Sequence, residues 1–163
     1  MLKFFLNSKT TGYLRHLESE FGESTNAIRQ ELNRFEEAGM LSSGFEGNKK
    51  VFRANTRHPL FEEVHNILMK YVGLDKIVDH VIKRLGNVEQ VFLTGKMAQG
   101  LESPVIDLVI VGTPDKAYLI ELIDKAEALI NRKVRYLIYS PEDFERSSSI
   151  YDAPHLLLWA ATT

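Results

Sequence analysis

Apolar residues between positions 14 and 35 recur every three or four residues, which is the spacing of amphipathic helices. They are Leu14, Leu17, Phe21, Ile28, Leu32 and Phe35. Gly22 interrupts the series, so the pattern predicts two short helices joined by a tight turn. The second helix has Ser24 or Thr25 as a natural N-cap, and we expect it to end at Ala38 because a glycine follows.

The segment after this helix has the pattern of a β-hairpin. Residues 40–43 and 51–54 are expected to form the two strands, and the polar, glycine-containing stretch 46–50 between them predicts the turn. The order of elements in the first part of the chain is therefore helix, turn, helix and hairpin.

The second half alternates between strand-like and helix-like segments, which predicts an α/β domain with helices packed on a mixed sheet. The expected elements are a helix from Leu74 to Leu85, strands Gln90 to Thr94 and Ile106 to Val111, a helix from Asp115 to Ile130 and a strand from Val134 to Tyr139. Ser140 begins a further capped helix. The apolar run Leu156 to Trp159 fits a strand or a helix equally well.

A separate helix is predicted to connect the two halves. It starts near Pro59 and ends at Gly73, and it has an apolar stripe formed by Leu60, Val64, Ile67, Leu68 and Tyr71. Such a stripe covers the core of the first domain or forms a dimer interface, and the pattern favours neither. The expected domains are 1–57, a connecting helix 58–73, and 74–163.

Composition narrows the class of protein. The chain has 163 residues, a formal net charge of −2 and no cysteine, which excludes disulfides and thiolate metal sites. No stretch approaches the length of a membrane span and no signal peptide is recognisable, so we expect a cytoplasmic protein. The histidines, at positions 16, 58, 65, 80 and 155, have no ligand spacing, and we expect neither a metal nor a cofactor.

Burying the apolar side of the second helix turns a polar row outward, and this row suits the reading of base edges in a DNA major groove. The candidate DNA-binding residues are Thr25, Asn26, Arg29, Gln30 and Asn33 on the helix, with Asn48, Lys49, Lys50 and Arg53 on the hairpin. A solvated helix face and a hairpin tip also carry such residues without any ligand. The combination of the helix cap, the glycine at the end of the helix and the basic hairpin favours a DNA-binding surface over a solvated surface without a ligand.

The stretch from Gly22 to Leu41, followed by Gly47 to Asn55, resembles the winged-helix regulators related to the ArsR group. The resemblance covers most of residues 1–57. It implies that the second helix enters the major groove, that the hairpin touches the backbone, and that the protein binds double-stranded DNA as a homodimer on a pseudo-palindromic site. The cysteine motif of metal-sensing members is absent, so the resemblance implies no metal sensing.

The stretch from Val91 to Ile110 resembles the minimal nucleotidyltransferase domain, with coverage over about residues 74–140. Active members of that superfamily have a strand, Gly-Ser, a further glycine, Asp-x-Asp on the next strand and a third acidic residue later. The acidic residues hold two magnesium ions that bridge the triphosphate and activate the attacking hydroxyl. Gly95, Gly100 and Asp107 match this pattern.

Three positions depart from the pattern. Lys96 stands at the serine, Val105 at the first aspartate, and Arg135 at or near the third acidic residue. One carboxylate cannot hold two metal ions, so this departure predicts a domain without catalytic activity. For Asp107 we favour an ion pair with Lys96 or Arg135 over a metal ligand.

Gly95, Lys96, Asp107 and Arg135 are also candidate ligand-binding residues, since two cations can neutralise a nucleotide or phosphate directly. A dimerisation platform without a ligand is the competing interpretation of this domain. The sequence thus favours a two-domain α+β chain, with an N-terminal winged helix-turn-helix and a C-terminal α/β nucleotidyltransferase-like domain. The hypothesis is a DNA-binding transcriptional regulator. An active, antitoxin-type adenylyltransferase with an accessory winged helix is the alternative, and a protein-interaction adaptor is the third class.

Overall fold

The computed structural model describes residues 1–147 and 152–162, and the fold is mixed α+β. The backbone divides into two compact units, Met1–Ile67 and Leu68–Thr163. We call them unit 1 and unit 2. The domain limits expected from the sequence, at 57 and 73, stay predictions.

Unit 1 combines short helices with a small antiparallel sheet. Its elements are α1 (Leu2–Phe5), β1 (Thr11–Tyr13), α2 (Leu14–Phe21), α3 (Thr25–Glu37), β2 (Leu41–Glu46) and β3 (Lys49–Ala54). The sheet has the order β1-β3-β2, and both pairs of strands are antiparallel. The helix α4 (Phe61–Val72) follows, and the boundary between the units falls within it.

Local sequence signals explain the limits of α2 and α3. Gly22 ends α2 in the left-handed conformation, with φ of 65°. The Ser24 hydroxyl then caps α3 by accepting a hydrogen bond from the Ala27 amide at 3.2 Å. Leu17 and Leu32 are buried on the inner faces of these helices. Helix α3 therefore begins and ends within one residue of the limits that the cap and glycine predict.

Two elements of unit 1 have no periodic signal in the sequence. Helix α1 is a single turn whose side chains Phe4 and Phe5 are buried, and β1 is three residues long. Strand β1 pairs with β3 along Thr11 to Tyr13. Segments this short contain little more than one period of a helix or a strand, too few repeats for a pattern to be recognised, so the tertiary packing defines them.

Unit 2 is a four-stranded mixed sheet with helices packed on it. Its elements are α5 (Leu74–His80), a 3-10 turn (Ile82–Arg84), β4 (Val88–Thr94), α6 (Gly95–Ala98), β5 (Val105–Gly112), α7 (Lys116–Ile130), β6 (Lys133–Tyr139), α8 (Pro141–Arg146) and β7 (Leu156–Ala160). The strand order is β6-β5-β4-β7. Among the described strands β5 and β6 form the parallel pair, and α7 is the crossover that such a pair requires.

Two elements of unit 2 differ from, or decide between, the expectations from the sequence. The helix expected from Leu74 to Leu85 ends at His80 and continues as a 3-10 turn. The apolar run near the C-terminus is strand β7, which pairs with β4 at the edge of the sheet. Within residues 1–147 and 152–162, no helix has the length and apolar character needed to cross a membrane.

Glu127 joins the end of α7 to the start of β6. Its Oε1 accepts a hydrogen bond from the Val134 amide at 2.7 Å, and its Oε2 lies 2.6 Å from Lys133 Nζ. The Lys133 ammonium and then the Val134 amide hold the pKa of Glu127 below its ordinary value. The carboxylate therefore stabilises the fold above the unfolded-state pKa of about 4.3, and this contribution is lost as pH falls through the lowered pKa of the folded state.

We predict that Glu127→Gln lowers the free energy of unfolding by about 1 kcal/mol near neutral pH. The loss should shrink when urea denaturation is repeated at about pH 3, where the wild-type carboxylate is itself becoming protonated. Glu121→Gln is the matched control, because Glu121 pairs with Lys125 on the same helix but is 59% exposed. Equal effects of the two substitutions at both pH values would contradict the assignment.

Candidate functional site

The end of β4 turns sharply toward the neighbouring strand at Gly95. The backbone there has φ of 67°, a conformation that side chains other than glycine rarely adopt. A Cβ atom at this position would lie 3.0 Å from Asp107 Cγ and closer still to Oδ2. Glycine is therefore required both by the backbone conformation and by the approach of the carboxylate.

Three adjacent strands place the site residues side by side. Asp107 on β5 is aligned with Thr94 across the antiparallel pair and with Arg135 across the parallel pair. The Thr94 hydroxyl also donates a long hydrogen bond, 3.4 Å, to the Asp107 carbonyl. The mixed sheet thus brings together a hydroxyl, a carboxylate and a guanidinium that are far apart in the sequence.

An ion pair joins Asp107 to Arg135. The Arg135 Nε donates to Asp107 Oδ1 at 2.7 Å, and the carboxylate raises the pKa of the guanidinium further above its ordinary value. The Arg135 side chain is 72% exposed and that of Asp107 is 21% exposed. Because water screens a pair of this kind, it contributes little to stability, and a ligand can compete for the guanidinium.

A cleft of about 660 Å³ opens beside this ion pair. It is lined by Thr94, Gly95, Asp107, Leu108, Val134, Arg135, Tyr136 and Leu137. The volume lies in the range of sites for small molecules, and the lining combines apolar side chains with a few polar groups, as such sites do.

The structure brings together some of the candidate ligand-binding residues but not all. Gly95, Asp107 and Arg135 line the cleft, whereas Lys96 is exposed on α6 and is not among the lining residues. Asp107 is paired with Arg135, one of the two partners considered from the sequence. Thr94 and Tyr136 were missed. Their signal is positional, since each lies next to a recognised residue on its strand.

The residues present do not fit a two-metal centre. Val105 is the first residue of β5 and supplies no ligand, and Arg135 occupies the strand position beside Asp107. Across the described part of the chain, no group of three or more His, Asp or Glu side chains is placed to hold a metal ion. A guanidinium bonded to the one carboxylate also repels a divalent cation.

Part of the polar row predicted in unit 1 lies on a second cavity, of about 570 Å³, between α3 and the hairpin. Of the candidate residues, its lining includes Arg29, Asn33, Asn48, Lys49 and Lys50. Thr25, Asn26, Gln30 and Arg53 are not among the lining residues. Two of the hairpin cations are already paired within the chain, Lys50 with Glu36 at 2.7 Å and Arg53 with Glu46 at 3.4 Å.

Comparisons with known proteins return structural neighbours only. A mutant of the toxin-antitoxin MntA-HpeT is 18% identical, covers 55% of this chain and 73% of that chain, and has a TM-score of 0.41. A complex of the tri-AMPylated Shewanella oneidensis HEPN toxin with the MNT antitoxin is 16% identical, covers 57% and 74%, and has a TM-score of 0.39. A toxin-antitoxin structure with AMP-PNP is 16% identical, covers 56% and 74%, and has a TM-score of 0.39. No family model and no curated protein matches.

The expectation of a winged-helix transcriptional regulator is wrong. The neighbours, which cover about 55% of the chain, are toxin-antitoxin structures and a putative nucleotidyltransferase, and none of them shows a winged-helix regulator or supports double-stranded DNA as a partner. The physical reason is that a polar helix face beside a hairpin is not specific to DNA. The DNA interpretation depended on the cations of the hairpin, and two of these, Lys50 and Arg53, form ion pairs with Glu36 and Glu46.

The expectation that the chain is not an enzyme also stands corrected, since the neighbours found include a putative nucleotidyltransferase from Sulfolobus solfataricus and a toxin-antitoxin structure with AMP-PNP. That expectation came from missing metal ligands. Missing metal ligands bear on metal binding alone, whereas the turn, the carboxylate and the open cleft are present.

We predict that Gly95→Ala destabilises the protein by roughly 1–3 kcal/mol, because the substitution combines a strained backbone conformation with a clash against Asp107. Gly86→Ala is the matched control, since a Cβ there has no heavy atom within 4 Å. Thermal and urea denaturation of the two variants measure the difference. The close approach at Gly95 is incorrect if both alanine variants match the wild type.

Proposed function

We propose that the cleft of unit 2 binds a nucleoside triphosphate and that the chain catalyses nucleotidyl transfer. The observation that carries the proposal is the junction of Gly95, Asp107 and Arg135, where a glycine-only turn, a carboxylate and a guanidinium open on one cavity. We take the cytoplasm, where nucleoside triphosphates are available, as its compartment.

Arg135 is the phosphate-binding group in this proposal. Its Nε is bonded to Asp107, while its two Nη groups have no hydrogen-bond partner among the described residues. A guanidinium donates parallel hydrogen bonds to phosphate oxygens, and such charge-assisted bonds are stronger than neutral ones. The phosphate therefore takes the place of the half-buried Asp107 carboxylate on the exposed Arg135 and leaves Asp107 able to interact with the second substrate.

Asp107 is the proton acceptor in the proposed reaction. The hydroxyl oxygen of the acceptor forms a bond to the α-phosphorus as the bond to pyrophosphate breaks, and the hydroxyl proton passes to the Asp107 carboxylate. Arg135 offsets the charge that develops on the phosphate oxygens. Since the described carboxylates do not fit a two-metal centre, no step is assigned to a metal ion.

The acceptor is proposed to be a hydroxyl of a partner protein. The solved neighbours include toxin-antitoxin complexes in which the toxin is AMPylated. A protein hydroxyl is accordingly the first acceptor to test, and the cleft is open enough to admit one, since Arg135 and Leu137 at its edge are 72% and 60% exposed.

We predict that ATP binds to the intact chain and that Arg135→Ala weakens binding about tenfold or more, the effect of losing a charge-assisted contact of roughly 1.5–3 kcal/mol. Isothermal calorimetry measures both affinities. Arg84→Ala is the matched control, because Arg84 lies in the same unit outside the cleft lining. Absence of ATP binding, or equal affinity in the two variants, would contradict the assignment of the cleft.

We predict that pyrophosphate release from ATP is abolished in Asp107→Asn while ATP binding is kept, because the amide cannot accept the hydroxyl proton. The assay uses α-labelled ATP, follows pyrophosphate and labelled protein, and is run with and without a chelator. Turnover that survives Asp107→Asn would remove this residue from the chemistry. A chain that binds ATP but shows no turnover with protein acceptors would leave only the binding part of the proposal.

A further inference from the structure

Helix α4 packs one apolar side against its own chain. The Phe61 ring lies 6.3 Å from the Phe5 ring, and His65 Nδ1 is 2.9 Å from the Phe5 carbonyl oxygen. One and two turns further along, Leu68 is 8% exposed and Val72 is 1% exposed. These residues recur at intervals of four, three and four, so they define a single inner stripe.

A second apolar stripe lies beside the first and is exposed at three of its four positions, with Val64 half-buried. It consists of Leu60, Val64, Ile67 and Tyr71, of which Leu60 is 54%, Ile67 63% and Tyr71 68% exposed. Leu60 belongs to the same helical series because its carbonyl accepts a hydrogen bond from the Val64 amide at 3.0 Å. The intervals are again four, three and four, which is the heptad spacing of helices that pair with one another.

This arrangement corrects the stripe expected from the sequence. The sequence placed Leu68 in one stripe with Leu60, Val64, Ile67 and Tyr71, but Leu68 is buried, whereas Leu60, Ile67 and Tyr71 are exposed. Exposed apolar side chains in a continuous row are typical of a surface that another protein covers.

Charge along the edge of the exposed stripe indicates what covers it. Glu63 and Lys70 lie two turns apart on the same edge, both are exposed, and neither forms an ion pair within residues 1–147 and 152–162. Opposite charges at this interval are complementary to the same helix running in the opposite direction, since Glu63 of each copy then meets Lys70 of the other and two ion pairs form per dimer. A parallel pair would give neither charge a partner.

We propose that the exposed stripe of α4 pairs with the same stripe of a second copy of this chain, in antiparallel orientation. Leu60 lies opposite Tyr71 of the second copy, and Val64 lies opposite Ile67 of the second copy. Glu63 and Lys70 form the ion pairs that set this orientation. The chain is therefore a homodimer, and this inference is independent of the nucleotide proposed for unit 2.

Sedimentation equilibrium of the intact chain tests the stripe and its charges. The wild type should be a dimer at micromolar concentration, Ile67→Asp should be monomeric, and Glu63→Lys and Lys70→Glu should each weaken the dimer about tenfold. The double variant Glu63→Lys with Lys70→Glu should restore dimerisation. Glu62→Lys is the control, because it makes the same charge change one position off the edge.

The absence of cysteine in this chain allows a direct test of orientation. In the antiparallel pair two copies of position 60 are about 16 Å apart along the helix axis, too far for a disulfide. Leu60→Cys or Tyr71→Cys alone should therefore stay uncrosslinked on mild oxidation, whereas the double variant should form a covalent dimer.

Each result decides the proposal. A monomeric wild type, a dimer that survives Ile67→Asp, or a charge swap no better than its single substitutions would overturn it. Crosslinking through Leu60→Cys alone would overturn the antiparallel orientation. Circular dichroism of Ile67→Asp checks that the monomer is folded, and the charge swap decides the matter even if that variant unfolds.

Discussion

The approach of the Asp107 carboxylate to the backbone at Gly95 is the constraint on which unit 2 depends. The turn at Gly95 leaves no room for a side chain, so the end of β4 can lie directly against β5. The register of the sheet then places Arg135 beside the same carboxylate. A slip of one residue in β5 would turn Asp107 to the opposite face of the sheet and remove the site altogether.

The ion pair at this point is suited to exchange its partners. Arg135 is mostly exposed, so its bond to Asp107 adds little to stability and can be replaced by a bond to phosphate. The pair of Lys133 with Glu127 is exposed to a similar degree, but the Glu127 carboxylate also accepts a hydrogen bond from the Val134 backbone amide. The first pair therefore fits a ligand site, whereas the second fixes α7 to β6.

The sequence predicts those elements whose signals are local. Gly22 and Ser24 mark the limits of the turn between α2 and α3, and the alternating apolar runs predict the sheet of unit 2. Caps, left-handed glycines and periodicity all act over a few residues, so they can be recognised in the sequence. The partner of Asp107 and the short strand β1 depend on contacts between distant segments, so the pattern leaves them open. The regulator hypothesis failed for the same reason, since the pairing of Lys50 with Glu36 is not visible in the hairpin alone.

A crystal structure of the intact chain with a non-hydrolysable ATP analogue tests the central claim most directly. The account predicts that the phosphates lie in the cleft beside Gly95, that the Arg135 guanidinium donates to them, and that the 2.7 Å bond between Arg135 and Asp107 is broken. An analogue bound elsewhere, or a cleft in which the nucleotide lies away from an intact ion pair, would contradict the account.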